Sequence, residues 1–190
     1  MTDDHPPFER IAVFCGSNFG IDPAYRETAA VFGELIASRG IGLVYGGGNV
    51  GLMGILADTV MKAGGKVIGV IPQHLRDREV AHFGITQLQV VDSMHKRKRL
   101  IYEQSDVLVA LPGGIGTFEE LLEAMTWNQL GLHDKPLGLL NVKGYFDPLV
   151  AMFDRAEEHK FLRSEQRERL LVESDPERLL QALAAARLAP

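Results

Sequence analysis

The chain has 190 residues, enough for one domain with a sizeable core. Hydrophobic residues make up 46%, charged residues 24%, and the formal net charge is −5, which argues against a nucleic-acid partner because such binding needs broad positive potential. A single cysteine, Cys15, excludes an intrachain disulfide and any multi-cysteine metal site.

The acidic start "MTDDHPPFER" lacks an apolar signal core, and residues 1–9 are expected to be flexible. "RIAVFCG" (10–16) reads as a first strand, apolar throughout and ended by glycine. "DPAYRETAAVFGELIASRG" (22–40) reads as a helix that Asp22 caps, Pro23 opens and Gly40 ends. "IGLVYGGG" (41–48) is a strand running into a glycine loop, and "VGLMGILADTVMKAGG" (50–65) is the next helix. "KVIGVIP" (66–72) is a strand and "QLQVV" (87–91) a short extended piece. "SMHKRKRLIYEQS" (93–105) has helical spacing, and "DVLVALPGG" (106–114) is a buried strand entering a turn. "TFEELLEAMTWNQLG" (117–131) is an amphipathic helix, followed by a strand at 135–142 and helices at 146–160 and 175–189.

Strand–helix alternation with apolar strands predicts a parallel sheet covered on both faces, hence a doubly wound, Rossmann-like α/β fold in one domain. Ligands in such folds bind beyond the carboxyl ends of the strands. Three loops lie there: "CGSN" (15–18) with Ser17, "GGGNVG" (46–51) with Gly47, and "PGGIGT" (112–117) with Gly113. No apolar run is long enough to span a bilayer, so a cytoplasmic protein with no membrane partner is expected.

"GGGNVGLMG" matches a dinucleotide fingerprint only loosely; tight strand–helix packing explains its glycines as well. "PGGIGT" opens a helix, where converging N–H groups and the helix dipole favour an anion. The Gly-Lys-Ser/Thr ending of a P-loop is absent, so a monophosphate fits better than a triphosphate. Thr117 and Glu120 match a capping box, which needs no function, and Glu119 matches a solvated first-turn acid.

"MHKRKR" (94–99) resembles a solvated charge run. On a helical wheel, however, Arg97 and Lys98 flank the stripe of Met94 and Ile101, while Lys96 and Arg99 point away and His95 sits on the surface. Two cations therefore face the protein and require carboxylates or a bound anion opposite them. "SMHK" (93–96) also matches the surroundings of a pyridoxal-phosphate lysine, but the outward placement of Lys96 speaks against a Schiff base there.

Together "GGGNVGLMG", "EVAH" (79–82), "SMHKRK", "LPGGIGTFEEL" and "TWNQLG" (126–131) resemble the LOG family of cytokinin-activating phosphoribohydrolases, over about residues 10–160. The resemblance implies a homodimer without metal or cofactor. It implies hydrolysis of N6-substituted adenosine monophosphates, and often AMP, to free base and ribose 5-phosphate. It makes Arg97 and Glu120 catalytic. It makes Glu79, Lys98, the loop Gly114, Ile115, Gly116, Thr117, Phe118 and Glu119, and Thr126 substrate-contacting. Lys96 departs from the family, which commonly has Glu or another polar residue there. On this reading the glycine turn holds the 5′-phosphate, Lys98 assists it, and Glu120 faces the ribose, where cleavage develops positive charge. A non-catalytic nucleotide or cofactor carrier on the same fold, like relatives that carry the molybdenum cofactor, is the rival; it needs phosphate loops but not both Arg97 and Glu120.

Overall fold

The computed structural model describes residues 6–76 and 81–189. Seven strands, β1 (Arg10–Phe14), β2 (Gly42–Tyr45), β3 (Val67–Pro72), β4 (Gln87–Val91), β5 (Val107–Ala110), β6 (Leu137–Leu140) and β7 (Leu170–Glu173), form one sheet. Its order is β4-β3-β2-β1-β5-β6-β7, and every pairing is parallel. Among the described residues, eight α-helices cover it: α1 (Pro23–Ser38), α2 (Gly51–Lys62), α3 (Gln73–Arg76), α4 (Met94–Glu103), α5 (Ile115–Gln129), α6 (Asp147–Glu158), α7 (Ser164–Glu168) and α8 (Pro176–Leu188). None is long and apolar enough to cross a membrane among the described residues.

Beyond Arg10 at the start of β1 and Tyr45 at the end of β2, the central strands carry no polar side chain because both of their faces are covered. Ile11 and Val13 of β1 point into a core shared with Phe32 of α1, Leu56 of α2 and Leu183 of α8. Their neighbours Ala12 and Phe14 point the other way, onto Ile101 of α4, Leu121 of α5 and Phe146. This is the two-residue alternation of a strand, made apolar on both sides. Each fully buried aromatic such as Phe32 contributes about 2–3 kcal/mol of burial free energy. Phe8 joins the first core, and the N–H groups of Glu9 and Arg10 both donate to Asp106 Oδ2 at 2.9 Å. Phe8 and Glu9, within the stretch expected to be flexible, are therefore held against the fold.

The expected caps form. Asp22 accepts from the Ala24 N–H at 2.9 Å with Pro23 behind it, and Gly40 closes α1 at φ +69°. Asp175 does the same for α8, accepting from Arg178 N–H at 2.9 Å. Two segments are additions. The short helix α3 continues directly from β3, and α7 with β7 occupies a stretch between 161 and 174 for which no element is predicted. β7 sits at the sheet edge with only Leu170 buried, and its apolar run is only the three residues Leu170 to Val172 before Glu173.

β1 and β5 lie side by side, but the chain leaves them in opposite directions. β1 leads through α1 to β2, and β5 leads through α5 to β6. Since α1 and α5 pack on opposite faces, a crevice opens between the ends of β1 and β5. That is the switch point at which doubly wound sheets bind ligands.

Candidate active site

A cleft of about 450 Å³ fills this crevice. The loops after β1 and β5 form its floor and are tied together, since Gly16 N–H donates to the Pro112 carbonyl at 3.0 Å. The Gly16 carbonyl in turn accepts from the N–H groups of Leu52 at 3.0 Å and Met53 at 3.4 Å. The first turn of α2 is thereby satisfied by the protein itself. In the "GGGNVG" loop, Gly51, at φ +60°, lies against the Ser17 backbone, and a side chain there would collide with it, while Gly46 lines the cleft. Gly47, at φ +79°, faces Ile71 and Leu88 and is not on the cleft lining, whereas Ser17 lines the cleft from an exposed position.

The α5 terminus is different. Its N-cap is Gly114, with no side-chain cap. The helix starts at Ile115, so Thr117 lies inside the first turn and the capping box expected from Thr117 and Glu120 does not form. Thr117 is 3% exposed, and its hydroxyl packs where a Gly113 side chain would stand. Gly113, Gly114, Ile115, Gly116 and Thr117 all line the cleft. A Cβ added to Gly114 or Gly116 would meet no protein atom within 4 Å, so those two glycines keep space open over the helix end. Tyr145, which also lines the cleft, donates its hydroxyl to the Gly113 carbonyl and stacks on Phe118. Phe118 faces this ring and the core rather than the cleft.

Arg97 and Glu120 meet beside this turn. Arg97 is 6% exposed and Glu120 9%, and Arg97 Nη2 lies 3.8 Å from Glu120 Oε1. The tip of the guanidinium lies against Gly46, where any Cβ would overlap Nη2. Met94 Sδ is 4.0 Å from Nη1. Tyr102 donates to the Glu120 carbonyl at 3.1 Å. Cys15 also lines the cleft, but burial, followed by the Glu120 charge, pushes its thiol far up, so it is not a thiolate nucleophile near neutral pH.

Lys98, expected beside the phosphate, is placed elsewhere. Its Nζ lies 2.5 Å from Glu119 Oε1 and 2.8 Å from Glu123 Oε1, outside the cleft lining. Burial pulls its pKa down, but the hydrogen bonds and charges of Glu119 and Glu123 outweigh that and leave it raised. Glu119 is thereby turned to Lys98 rather than into the cleft. Thr126 is exposed on α5 and donates to the Leu122 carbonyl at 2.7 Å, away from the cleft. Glu79 lies outside the described residues. Lys96 is exposed and pairs with Asp92 at 3.4 Å. No lysine lines the cleft among the described residues, so nothing there is placed to hold pyridoxal phosphate as an aldimine. Gly46, Tyr25 and Tyr145 were not among the residues read as functional. Their placement depends on contacts between distant segments; the one local sign for Tyr145 is its position just past β6, at the ligand end of the sheet.

Fold and cleft define an α/β protein of the doubly wound class with a buried Arg–Glu pair beside an uncapped helix terminus. A family model described as "Possible lysine decarboxylase" matches residues 53–183. The chain is 51% identical over 161 residues to the Oryza sativa subsp. japonica protein named probable cytokinin riboside 5′-monophosphate phosphoribohydrolase LOGL1, covering 85% of this chain and 72% of the relative. It is 44% identical over 183 residues to cytokinin riboside 5′-monophosphate phosphoribohydrolase LOG2 of Arabidopsis thaliana, covering 96% of this chain and 86% of that one. Among solved structures, the molybdenum cofactor binding protein of Rippkaea orientalis superposes with a TM-score of 0.69 at 25% identity, over 93% of this chain and 96% of that one. The chain belongs to the family of this model, together with the LOG phosphoribohydrolases.

Proposed function

We propose that this protein hydrolyses the N-glycosidic bond of N6-modified adenosine 5′-monophosphates, and of AMP, to free base and ribose 5-phosphate. The observation that carries this reading is the buried pair Arg97 and Glu120, 3.8 Å apart beside the uncapped start of α5. The 5′-phosphate docks on the free N–H groups of the glycine turn, where the helix dipole favours it. Glu120, one turn further along α5, then faces the ribose. Cleavage builds positive charge on the sugar, and a fixed carboxylate in a water-poor cleft stabilises that charge and orients the attacking water. Arg97 presents N–H donors to the departing purine; a guanidinium keeps its proton, so it assists by hydrogen bonding rather than as an acid. Neither step requires a metal or cofactor. The net charge of −5 fits a small-molecule substrate and no nucleic-acid partner.

The working unit is a cytoplasmic homodimer. Leu122, Thr126 and Leu130 are spaced four apart on α5, and all three are exposed. Leu122 and Leu130 are 42% and 65% exposed, an apolar stripe without cover in one chain. Thr126 lies on that stripe, so the contact with substrate expected of it belongs to the face given to a second copy.

The test is a product assay. Incubation with AMP and with isopentenyl-AMP is expected to release free base and ribose 5-phosphate. Adenosine, which lacks the group that binds the glycine turn, is expected to react at least about a hundredfold more slowly in kcat/KM. Tight nucleotide binding with no product would favour the carrier reading instead.

A further inference from the structure

Lys98 is a buried cation that the proposed chemistry leaves unused. Its side chain is only 9% exposed, next in sequence to Arg97. Consecutive helical residues point about 100° apart, so Lys98 leaves the cleft to Arg97 and turns to the flank of α4 that meets α5. There it reaches Glu119 and Glu123, at 2.5 and 2.8 Å. Those two acids are one helical turn apart and bracket Glu120. Tyr102, one turn beyond Lys98 on α4, adds a second rung: its hydroxyl lies 3.1 Å from the Glu120 carbonyl oxygen and 3.4 Å from Glu123 Oε2. Two residues of α4 thus grip three residues of α5, Glu119, Glu120 and Glu123.

Arg97 stands on α4 and Glu120 on α5, 3.8 Å apart, so the spacing of the reacting pair follows how α4 lies against α5. We propose that Lys98 is a positioning residue: with Glu119 and Glu123 it locks α4 to α5 and so sets where Arg97 stands relative to Glu120. This inference rests on the phosphoribohydrolase reading above. It replaces the expectation of a phosphate ligand, since the Lys98 ammonium is directed at two carboxylates outside the cleft. A misplacement of the order of 1 Å between catalytic groups is enough to cost a large part of the rate, so a brace outside the site controls turnover without touching substrate.

Steady-state kinetics on AMP with the full-length protein separates the two roles. Lys98→Met is expected to lower kcat at least about tenfold while KM stays within about threefold, the signature of lost transition-state geometry. Lys98→Arg, which can span both carboxylates, is expected to recover most of kcat. Glu119→Gln combined with Glu123→Gln removes the brace from the other side and is expected to lower kcat in the same way. If Lys98→Met does not fold, that double variant decides alone. A rise in KM for AMP with unchanged kcat on Lys98→Met would make Lys98 a phosphate ligand and overturn the proposal. Wild-type kcat in the double carboxylate variant would overturn it too. An inactive wild type would instead sink the phosphoribohydrolase reading, and the positioning role with it.

Discussion

Exchanging one carboxylate oxygen of Glu120 for an amide nitrogen removes its charge and keeps its shape. The α5 N-cap is Gly114, so Glu120→Gln removes no cap, but it takes a charge from beside the buried Arg97 guanidinium and is expected to cost about 3 kcal/mol of stability while leaving the protein folded. Its kcat on AMP is expected to fall about a hundredfold or more, close to 2.7 kcal/mol of transition-state stabilisation, with AMP still bound. Arg97→Ala should also cripple kcat, and the double variant should lose less than the sum of the singles in free energy, because the two act on one transition state. A folded Glu120→Gln enzyme with wild-type kcat would remove the catalytic assignment. Gly46 gives an independent probe of the same pair. A methyl there overlaps Arg97 Nη2, the far end of a flexible side chain, so the guanidinium can swing aside at little cost to the fold. Gly46→Ala is therefore expected to keep Tm within a few degrees and to lower kcat about tenfold or more, measured by melting and turnover on one preparation.

At the scale of the element, α5 separates what the helix needs from what the site needs. Gly116 lies within its first turn, and a Cβ there meets no protein atom within 4 Å. Alanine is a better helix former than glycine by roughly 0.5–1 kcal/mol, so Gly116→Ala is expected to raise Tm. The same methyl projects into the space over the helix end and should raise KM for AMP about tenfold or more. A variant both more stable and unimpaired would leave the anion turn without support. The start of this helix was also where sequence misled. Thr117 and Glu120 carry the spacing of a capping box, yet the helix begins two residues before Thr117, at Ile115, with Gly114 as its N-cap, which leaves the terminal N–H groups without a competing side chain. Helices α1 and α8 were legible because Asp-Pro marks their starts. β7 was not, because its apolar run of Leu170 to Val172 is only three residues long and lies between charged residues. In the site, Arg97 and Lys98 were legible as inward cations from helical periodicity alone. Their partners were not: whether a buried ammonium meets phosphate or carboxylate depends on how α4 lies against α5, which local spacing does not encode.

Across the whole molecule, two exposed apolar surfaces compete for the role of dimer interface. One is the α5 stripe, Leu122 and Leu130, continued by Leu132 at 66% exposure. The other lies around α6, with Met152 at 60% and Phe161 at 88% exposure. A stable interface needs about 800 Å² per partner, more than either set of side chains supplies, so the partner must also cover polar neighbours. On α5 those neighbours include Thr126, the residue whose expected substrate contact no single chain explains. That coincidence favours the α5 surface. Light scattering at micromolar concentration is expected to give about twice the 20.9 kDa of one chain. Leu122→Asp places an unpaired charge in the middle of the proposed contact and is expected to shift the mass to that of a monomer. Met152→Asp, on the other surface, is expected to leave it dimeric. A monomeric wild type would sink the dimer, and dissociation by Met152→Asp alone would move the interface to α6.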